Sequence, residues 1–354
     1  MQDTLLVRTQ LGLLVYDLTA DSVLYGYGAK QTLRPASTMK LLTAVTALDQ
    51  LGGNYQLRTS LRYKGTVSDR VLQGDLYCVG GMDPMFDDHD MDAFVEGLRA
   101  LDVDTIRGRL VAVTSFKEDL LLGEGWCWDD DNPQLTPLLI SRKDEFMQRF
   151  TDKLRQAGLV VEAEYATGSV PDDALSLSTR IHSLRDILVP MMKESDNLYA
   201  ESVFFHIAAS MGVRPAKAAH ARQQIKKTLG KAGVKGVMYK IADGSGLSLY
   251  NYVTPELMVS LLKYAYRNTN ISMYLYPSLP IAGQDGTLKK RMTGPVTNGR
   301  VHAKTGTLTG ISSLAGYCST SDGHQLAFCI INQGVMKNSE GREFQDRVCR
   351  ALCE

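Results

Sequence analysis

Strand-like segments occupy both ends of this 354-residue chain, and helices fill most of what lies between. Gly12 to Tyr16 is an apolar run that predicts a buried strand. Val23 to Tyr27 predicts its hairpin partner across a turn at Thr19 to Ser22. At the far end, Arg300 to Thr307, Ser312 to Ser319 and His324 to Asn332 predict three more strands, with Asp322-Gly323 as a hairpin turn. This pattern points to one α/β domain closed by its own termini.

The intervening helices have clear signals. From Ser37 to Leu51 the residues Met39, Leu42, Val45, Leu48 and Leu51 recur at helical spacing, and Gly52-Gly53 ends the run. Ser183 to Lys193, Asn197 to Met211, Lys217 to Ala232 and Pro255 to Arg267 predict further helices, and Glu343 to Cys353 the last. Residues 53 to 180 differ in character. Short strand-like segments at Gln56 to Tyr63, Val71 to Val79 and Arg109 to Val113 lie among Gly and Asp turns, with one helix at Asp90 to Leu101. The expectation is an inserted α+β domain over 53–180, with 1–52 and 181–354 forming the main domain.

Composition narrows the partners. Lysine plus arginine equals aspartate plus glutamate, 39 against 39, so net charge offers no attraction to nucleic acid or an anionic membrane. No apolar run reaches transmembrane length. Met1-Gln2-Asp3 lacks the basic start of a signal peptide. The six cysteines include no Cys-x-x-Cys pair and the six histidines are scattered, so neither a metal site nor a cofactor is expected. Disulfide pairing is left open.

Three short strings carry chemistry: Ser37-Thr38-Met39-Lys40, Ser195-Asp196-Asn197 and Lys304-Thr305-Gly306. Ser37 and Lys40 are three apart at a helix start, where a hydroxyl and an amine share a face. A lysine among apolar neighbours loses basicity and can take a serine's proton. Yet Ser260 and Lys263 repeat the spacing inside a later helix, and read as structural. Ser195-Asp196-Asn197 sits between helices, where it can point a hydroxyl and an amide into a cleft or cap the next helix. On the strand, Lys304 and Gly306 share one face. The lysine offers charge to a substrate carboxylate, and the glycine offers room for a substrate backbone. His302 shares that face and reads as a packing residue.

The three strings in this order resemble the penicillin-binding proteins and serine β-lactamases. Asp243-Gly-Ser-Gly-Leu-Ser248, Leu279-Pro-Ile-Ala-Gly-Gln-Asp-Gly-Thr287, Lys304-Thr-Gly-Thr-Leu-Thr-Gly310 and Ser313-Leu-Ala-Gly-Tyr317 narrow the likeness. They are similar to the D-alanyl-D-alanine carboxypeptidase/endopeptidase family, the low-molecular-mass class C penicillin-binding proteins of peptidase family S13. Gly74-Asp75-Leu76-Tyr77 and Gly80-Gly81-Met82-Asp83-Pro84 resemble that family's inserted domain. The insert is shorter than in the longest members, and Leu249 stands where members often carry arginine.

The resemblance implies a five-stranded antiparallel sheet flanked by helices. It implies a hydrolase acting on the D-Ala-D-Ala end or cross-link of peptidoglycan stem peptides, and acylation by β-lactam antibiotics. Ser37 is then the nucleophile and Lys40 its base. Ser195 and Lys304 aid proton transfer, and Asn197 binds a substrate amide. Lys304, Thr305 and Thr307 draw the substrate carboxylate beside Gly306, and the Ser37 and Thr307 N–H groups form an oxyanion hole. Asp83 is a candidate for holding a substrate ammonium. A periplasmic location after signal removal is expected, and a homo-oligomer is left open. The rival readings are a serine β-lactamase and a non-catalytic cell-wall or β-lactam binding module.

Overall fold

A computed structural model describes residues 4–128, 132–236 and 238–354. In chain order it contains β1 (Gln10–Asp17), β2 (Ser22–Tyr27), α1 (Lys40–Gln50), β3 (Gln56–Ser68), β4 (Val71–Val79), α2 (Asp88–Arg99), β5 (Thr105–Val113), α3 (Phe146–Gln156), β6 (Val160–Thr167) and β7 (Leu175–Ser183). There follow α4 (Leu184–Val189), α5 (Asn197–Ala209), α6 (Ala218–Lys231), α7 (Pro255–Arg267), α8 (Thr269–Ser278), β8 (Val301–Leu308), β9 (Ile311–Ser319), β10 (Gln325–Gln333) and α9 (Asn338–Cys353).

The termini do close one sheet. Its order is β2-β1-β10-β9-β8, antiparallel throughout, with Gln10 opposite Gln333 and Asp17 opposite Leu326. The central strands are apolar because both their faces are covered. Leu11, Leu13 and Val15 meet Leu326, Phe328 and Ile330 in a core closed by Phe344, Cys349 and Cys353 of α9. The alternate residues Leu14, Ala327, Cys329 and Ile331 enter the larger core around α1, α5 and α7. By the same alternation Lys304 and Gly306 look toward that helical side. Edge strand β8 therefore carries them at the border between sheet and helices.

α1 is buried all round, as an apolar helix at the centre of a domain must be. It begins at Lys40, so the lysine enters the core with the helix. Gly52, at φ +78°, lets the chain leave it.

Residues 56–183 build a second, mixed sheet in the order β6-β5-β4-β3-β7. Its own core holds Phe86, Phe94, Phe146 and Phe150, whose neighbouring rings lie 5.1–6.5 Å apart. Strands β6 and β7 and helix α3 go beyond the elements predicted from the sequence. β6 is mostly exposed, β7 is half-buried with no fully buried residue, and both lack an apolar run. The signal for α3 was present in Phe146, Phe150 and Leu154, spaced by four.

Two predicted helices are also revised. The 37–51 helix starts as a 3-10 turn over Ala36–Met39 before α1. The 183–193 helix turns π-helical at Pro190, which has no N–H to continue the α-helical ladder.

Candidate active site

Ser37 sits in a turn gripped by two glycines. Ala36 adopts φ +48°, which swings the chain into the 3-10 turn. A Cβ on Gly246 would lie 1.9 Å from the Ala36 carbonyl oxygen. A Cβ on Gly306 would lie 2.2 Å from Ser313 Oγ, 2.7 Å from the Pro35 oxygen and 3.0 Å from the Ser37 nitrogen. Gly306 thus makes room for the turn that carries Ser37. In a 3-10 turn residues three apart eclipse one another, and Lys40 Nζ lies 3.0 Å from Ser37 Oγ.

Lys40 Nζ has two further partners, Asn197 Oδ1 and the Ser245 carbonyl oxygen, each at 2.8 Å. Burial lowers its pKa from 10.5 to about 8, against the opposing pull of Asp243, Glu201 and Asp196. The Ser245 carbonyl is aimed by a loop built on two buried acids. Asp243 accepts from the N–H groups of Gly246 and Ser248, from Asn251 Nδ2 and from Trp126 Nε1. Glu201, one turn along α5 from Asn197, accepts from the N–H groups of Gly244 and Ser245. Burial and the Asp243 carboxylate push Glu201 up to about 8.

Across the cleft, Lys304 Nζ donates to Ser195 Oγ at 2.8 Å and to the Thr305 carbonyl at 2.9 Å. Burial, then the nearby Lys40, holds Lys304 well below the usual lysine range. Ser195 is left-handed, at φ 62°. Asp196 caps α5 by accepting from the Tyr199 N–H, so the string is a helix cap and a site wall at once. A cleft of about 650 Å³ opens beside Ser195, Asp196 and Asn197, and Gln134, Arg142 and Lys143 also line it.

The structure therefore brings Ser37, Lys40, Ser195, Asn197 and Lys304 together, with Gly306 behind them. Thr305 bonds Thr287 through their hydroxyls at 2.8 Å, and Thr307 is exposed on the edge strand. Asp83 is a correction. It is buried, with one oxygen on His182 Nδ1 at 2.7 Å and the other on the Met85 N–H. A substrate ammonium would have to displace an internal partner to reach it. His302 stacks on Tyr276 at 4.3 Å, as a packing residue does. Leu249 is exposed, and its carbonyl accepts from Arg34 Nε.

Sequence reasoning missed Glu201, Trp126 and Arg142. Glu201 had a signal, the one acid inside the mostly apolar run Leu198 to Ala209. Trp126 and Arg142 come from the 56–183 segment, and no local pattern links them to the three strings. Among the described residues, no group of three or more His, Cys, Asp or Glu is arranged to hold a metal ion, and no helix is long and apolar enough to cross a membrane.

The D-alanyl-D-alanine carboxypeptidase of an Actinomadura species is 27% identical to this chain, covering 94% of it and 79% of that protein. The D-alanyl-D-alanine carboxypeptidase DacB of Haemophilus influenzae is 25% identical, over 90% and 84%. The crystal structure of penicillin-binding protein 4 from Haemophilus influenzae superimposes with a TM-score of 0.91 at 24% identity, covering 98% of this chain and 97% of that one. A predatory peptidoglycan endopeptidase from Bdellovibrio bacteriovorus shares the fold at a TM-score of 0.64 and 16% identity, over 97% and 92%. The model of the D-Ala-D-Ala carboxypeptidase 3 (S13) family matches residues 1–139 and 139–353, and the chain belongs to that family.

Proposed function

We propose that Ser37 is acylated by the D-Ala-D-Ala end of a peptidoglycan stem peptide, with Lys40 as the base. The setting of Lys40 carries this reading. Two of its three partners, Asn197 Oδ1 and the Ser245 carbonyl, can only accept hydrogen bonds. As an ammonium Lys40 donates to all three; once neutral, it keeps two N–H donors for the two acceptors and turns a lone pair to the Ser37 hydroxyl. Burial lowers the pKa to about 8, so roughly a tenth of the amine is neutral at pH 7, against almost none at the ordinary value.

Ser37 Oγ attacks the carbonyl carbon of the penultimate D-Ala while Lys40 takes its proton. A C–O bond forms and the C–N bond to the terminal D-Ala breaks. The leaving amine takes its proton through Ser195, which Lys304 holds. Water then repeats the exchange in reverse and frees Ser37. Lys304, Thr305 and Thr307 draw the terminal carboxylate to the edge of β8. The Ser37 and Thr307 N–H groups take the developing oxyanion. Asn197 Nδ2 remains for a substrate carbonyl.

A D-Ala cross-link presents the same bond, so endopeptidase action belongs to the proposal. Penicillins acylate the same serine; the related Haemophilus influenzae protein has been solved with a β-lactam. The three carboxylates facing Lys40 are committed to backbone amides and fixed side chains. None is presented as a base for a deacylating water, so the reading is a peptidase with a long-lived penicillin ester rather than a β-lactamase. Residues 53–180 act as an inserted domain, and the protein works in the periplasm.

Intact mass after incubation with a penicillin tests this. A persistent adduct on wild type and none on Ser37→Ala is expected. No adduct on folded wild type, or rapid turnover of the drug, would sink it. A free pentapeptide assayed beside a cross-linked dimer ranks the two peptidase activities.

A further inference from the structure

The segment around the active-site string Ser195-Asp196-Asn197 is weakly held by its own helices. It follows a π-helical turn, Pro190–Glu194, and passes through the left-handed Ser195. The Asp196 N–H reaches the Pro190 carbonyl only at 3.4 Å, and Ala200 reaches the Asp196 carbonyl at the same distance. Yet Ser195 must meet Lys304 at 2.8 Å and Asn197 must meet Lys40 at 2.8 Å. Besides the Asp196 cap on the Tyr199 N–H, a contact from outside these helices holds the segment.

That contact comes from the second sheet's side of the molecule. Arg142 Nη1 lies 2.5 Å from Asp196 Oδ2. The Asp196 side chain is 6% exposed and the Arg142 side chain 56%. A pair between two exposed groups would matter little, but stripping the partner from a buried carboxylate is costly. Arg142 is also deliberately aimed. Ser141 and Arg142 both adopt positive φ, 47° and 71°, which residues with a Cβ avoid. Their turn is locked by reciprocal bonds between Ile140 and Lys143, at 3.0 and 2.9 Å, and by the Ser141 N–H on the Phe86 carbonyl. Ile140 and Phe86 are buried in the second sheet's core. The strained turn is thus anchored to a rigid base and ends in a cation on Asp196.

We propose that Arg142 is a positioning residue of the acylation site, pinning Asp196 and thereby holding Ser195 on Lys304 and Asn197 on Lys40. This rests on the acyl-enzyme reading given above. It also has an electrostatic side. The titratable groups that face Lys40 are Asp196 and Glu201 at the start of α5, Asp243 in the loop before α7, and Lys304 on β8. Without Arg142, the Asp196 charge loses its counterion. Lys40 then holds its proton to higher pH, and the serine is activated only at higher pH.

The test measures acylation rates with a chromogenic β-lactam between pH 6 and 10 for wild type, Arg142→Gln, Arg142→Lys, Asp196→Asn and the double variant Arg142→Gln/Asp196→Asn. Arg142→Gln should acylate about tenfold more slowly, since small displacements of reacting groups cost this much or more. Its rising limb should move to higher pH, and Arg142→Lys should recover most of the loss. In the Asp196→Asn background Arg142→Gln should change the rate by less than about twofold, because residues acting through one another are not additive. A wild-type rate and pH profile in Arg142→Gln overturns the proposal. So does an undiminished effect in the Asp196→Asn background, which would mean Arg142 touches substrate directly. A wild type that never acylates overturns the acyl-enzyme reading itself.

Discussion

The chain carries Ser-x-x-Lys at two places, Ser37–Lys40 and Ser260–Lys263, and folds them into opposite environments. Lys40 is fully buried and bonded to Ser37, Asn197 and Ser245. Lys263 is part-exposed on α7, lies over the Tyr16 ring at 4.1 Å and pairs with Asp21 at 3.1 Å. Ser260 lines a separate surface cleft with Lys30 and Lys235. The helix geometry differs as well. Ser37 lies in a 3-10 turn, where residues three apart eclipse, whereas the α-helix at Ser260 splays them by about 60°. Partial burial works against the Lys263 charge, but the Tyr16 hydroxyl and Asp21 carboxylate win and hold its pKa above the ordinary value. Burial wins at Lys40 and lowers it to about 8. Spacing brings a hydroxyl and an amine close. Desolvation, which only the tertiary fold supplies, lowers the amine's pKa toward neutrality.

The sharpest way to break this comparison is to remove each serine. Ser37→Ala should abolish the penicillin adduct and D-Ala release, and Ser260→Ala should leave both at the wild-type rate. An adduct surviving on Ser37→Ala would dissolve the distinction. Next in size is Lys40→Met, which should slow acylation by about a thousandfold, the range lost with a general base. The same substitution should stabilise the fold near neutral pH. Lys40 titrates at about 8 when folded against 10.5 when unfolded, so between those values the unfolded chain binds more protons and wild-type stability rises with pH. The penalty below pH 8 is about 3 kcal/mol. Denaturant unfolding at pH 7.5 and 9.5 should therefore show Lys40→Met ahead of wild type at the lower pH, with the gap narrowing at the higher. A gap that ignores pH would mean that Lys40 is not buried as a desolvated amine.

Much of this was legible from the residues alone, for a physical reason. β1, β9 and β10 are covered on both faces, so their apolar runs show without ambiguity. The three strings are local chemistry and survive in one dimension. Strands β6 and β7 bury too little to leave a pattern. Glu201, Trp126 and Arg142 reach Ser245, Asp243 and Asp196 only because distant segments meet. Asp83 shows the converse failure. A turn aspartate before proline looks available in sequence, yet its carboxylate is spent on His182 and Met85 inside the fold.

The smallest expected effect is at Lys263, and its pH dependence has the opposite sign. A lysine whose folded pKa is raised contributes stability fully below its unfolded value, near 10.5, and loses it as pH climbs through the folded value. Asp21 is more than half exposed, so solvent screens the pair and its worth is small. Lys263→Met should leave acylation unchanged and shift Tm by no more than about 2 °C. That shift should be flat between pH 7.5 and 9.5, the interval in which the Lys40→Met difference changes most. It should also shrink in molar salt, because an exposed ion pair is screened and a buried amine is not. If Lys263→Met instead reproduced the pH-dependent gap of Lys40→Met, the two motifs would be electrostatically alike, and burial could not be what separates Lys40 from Lys263.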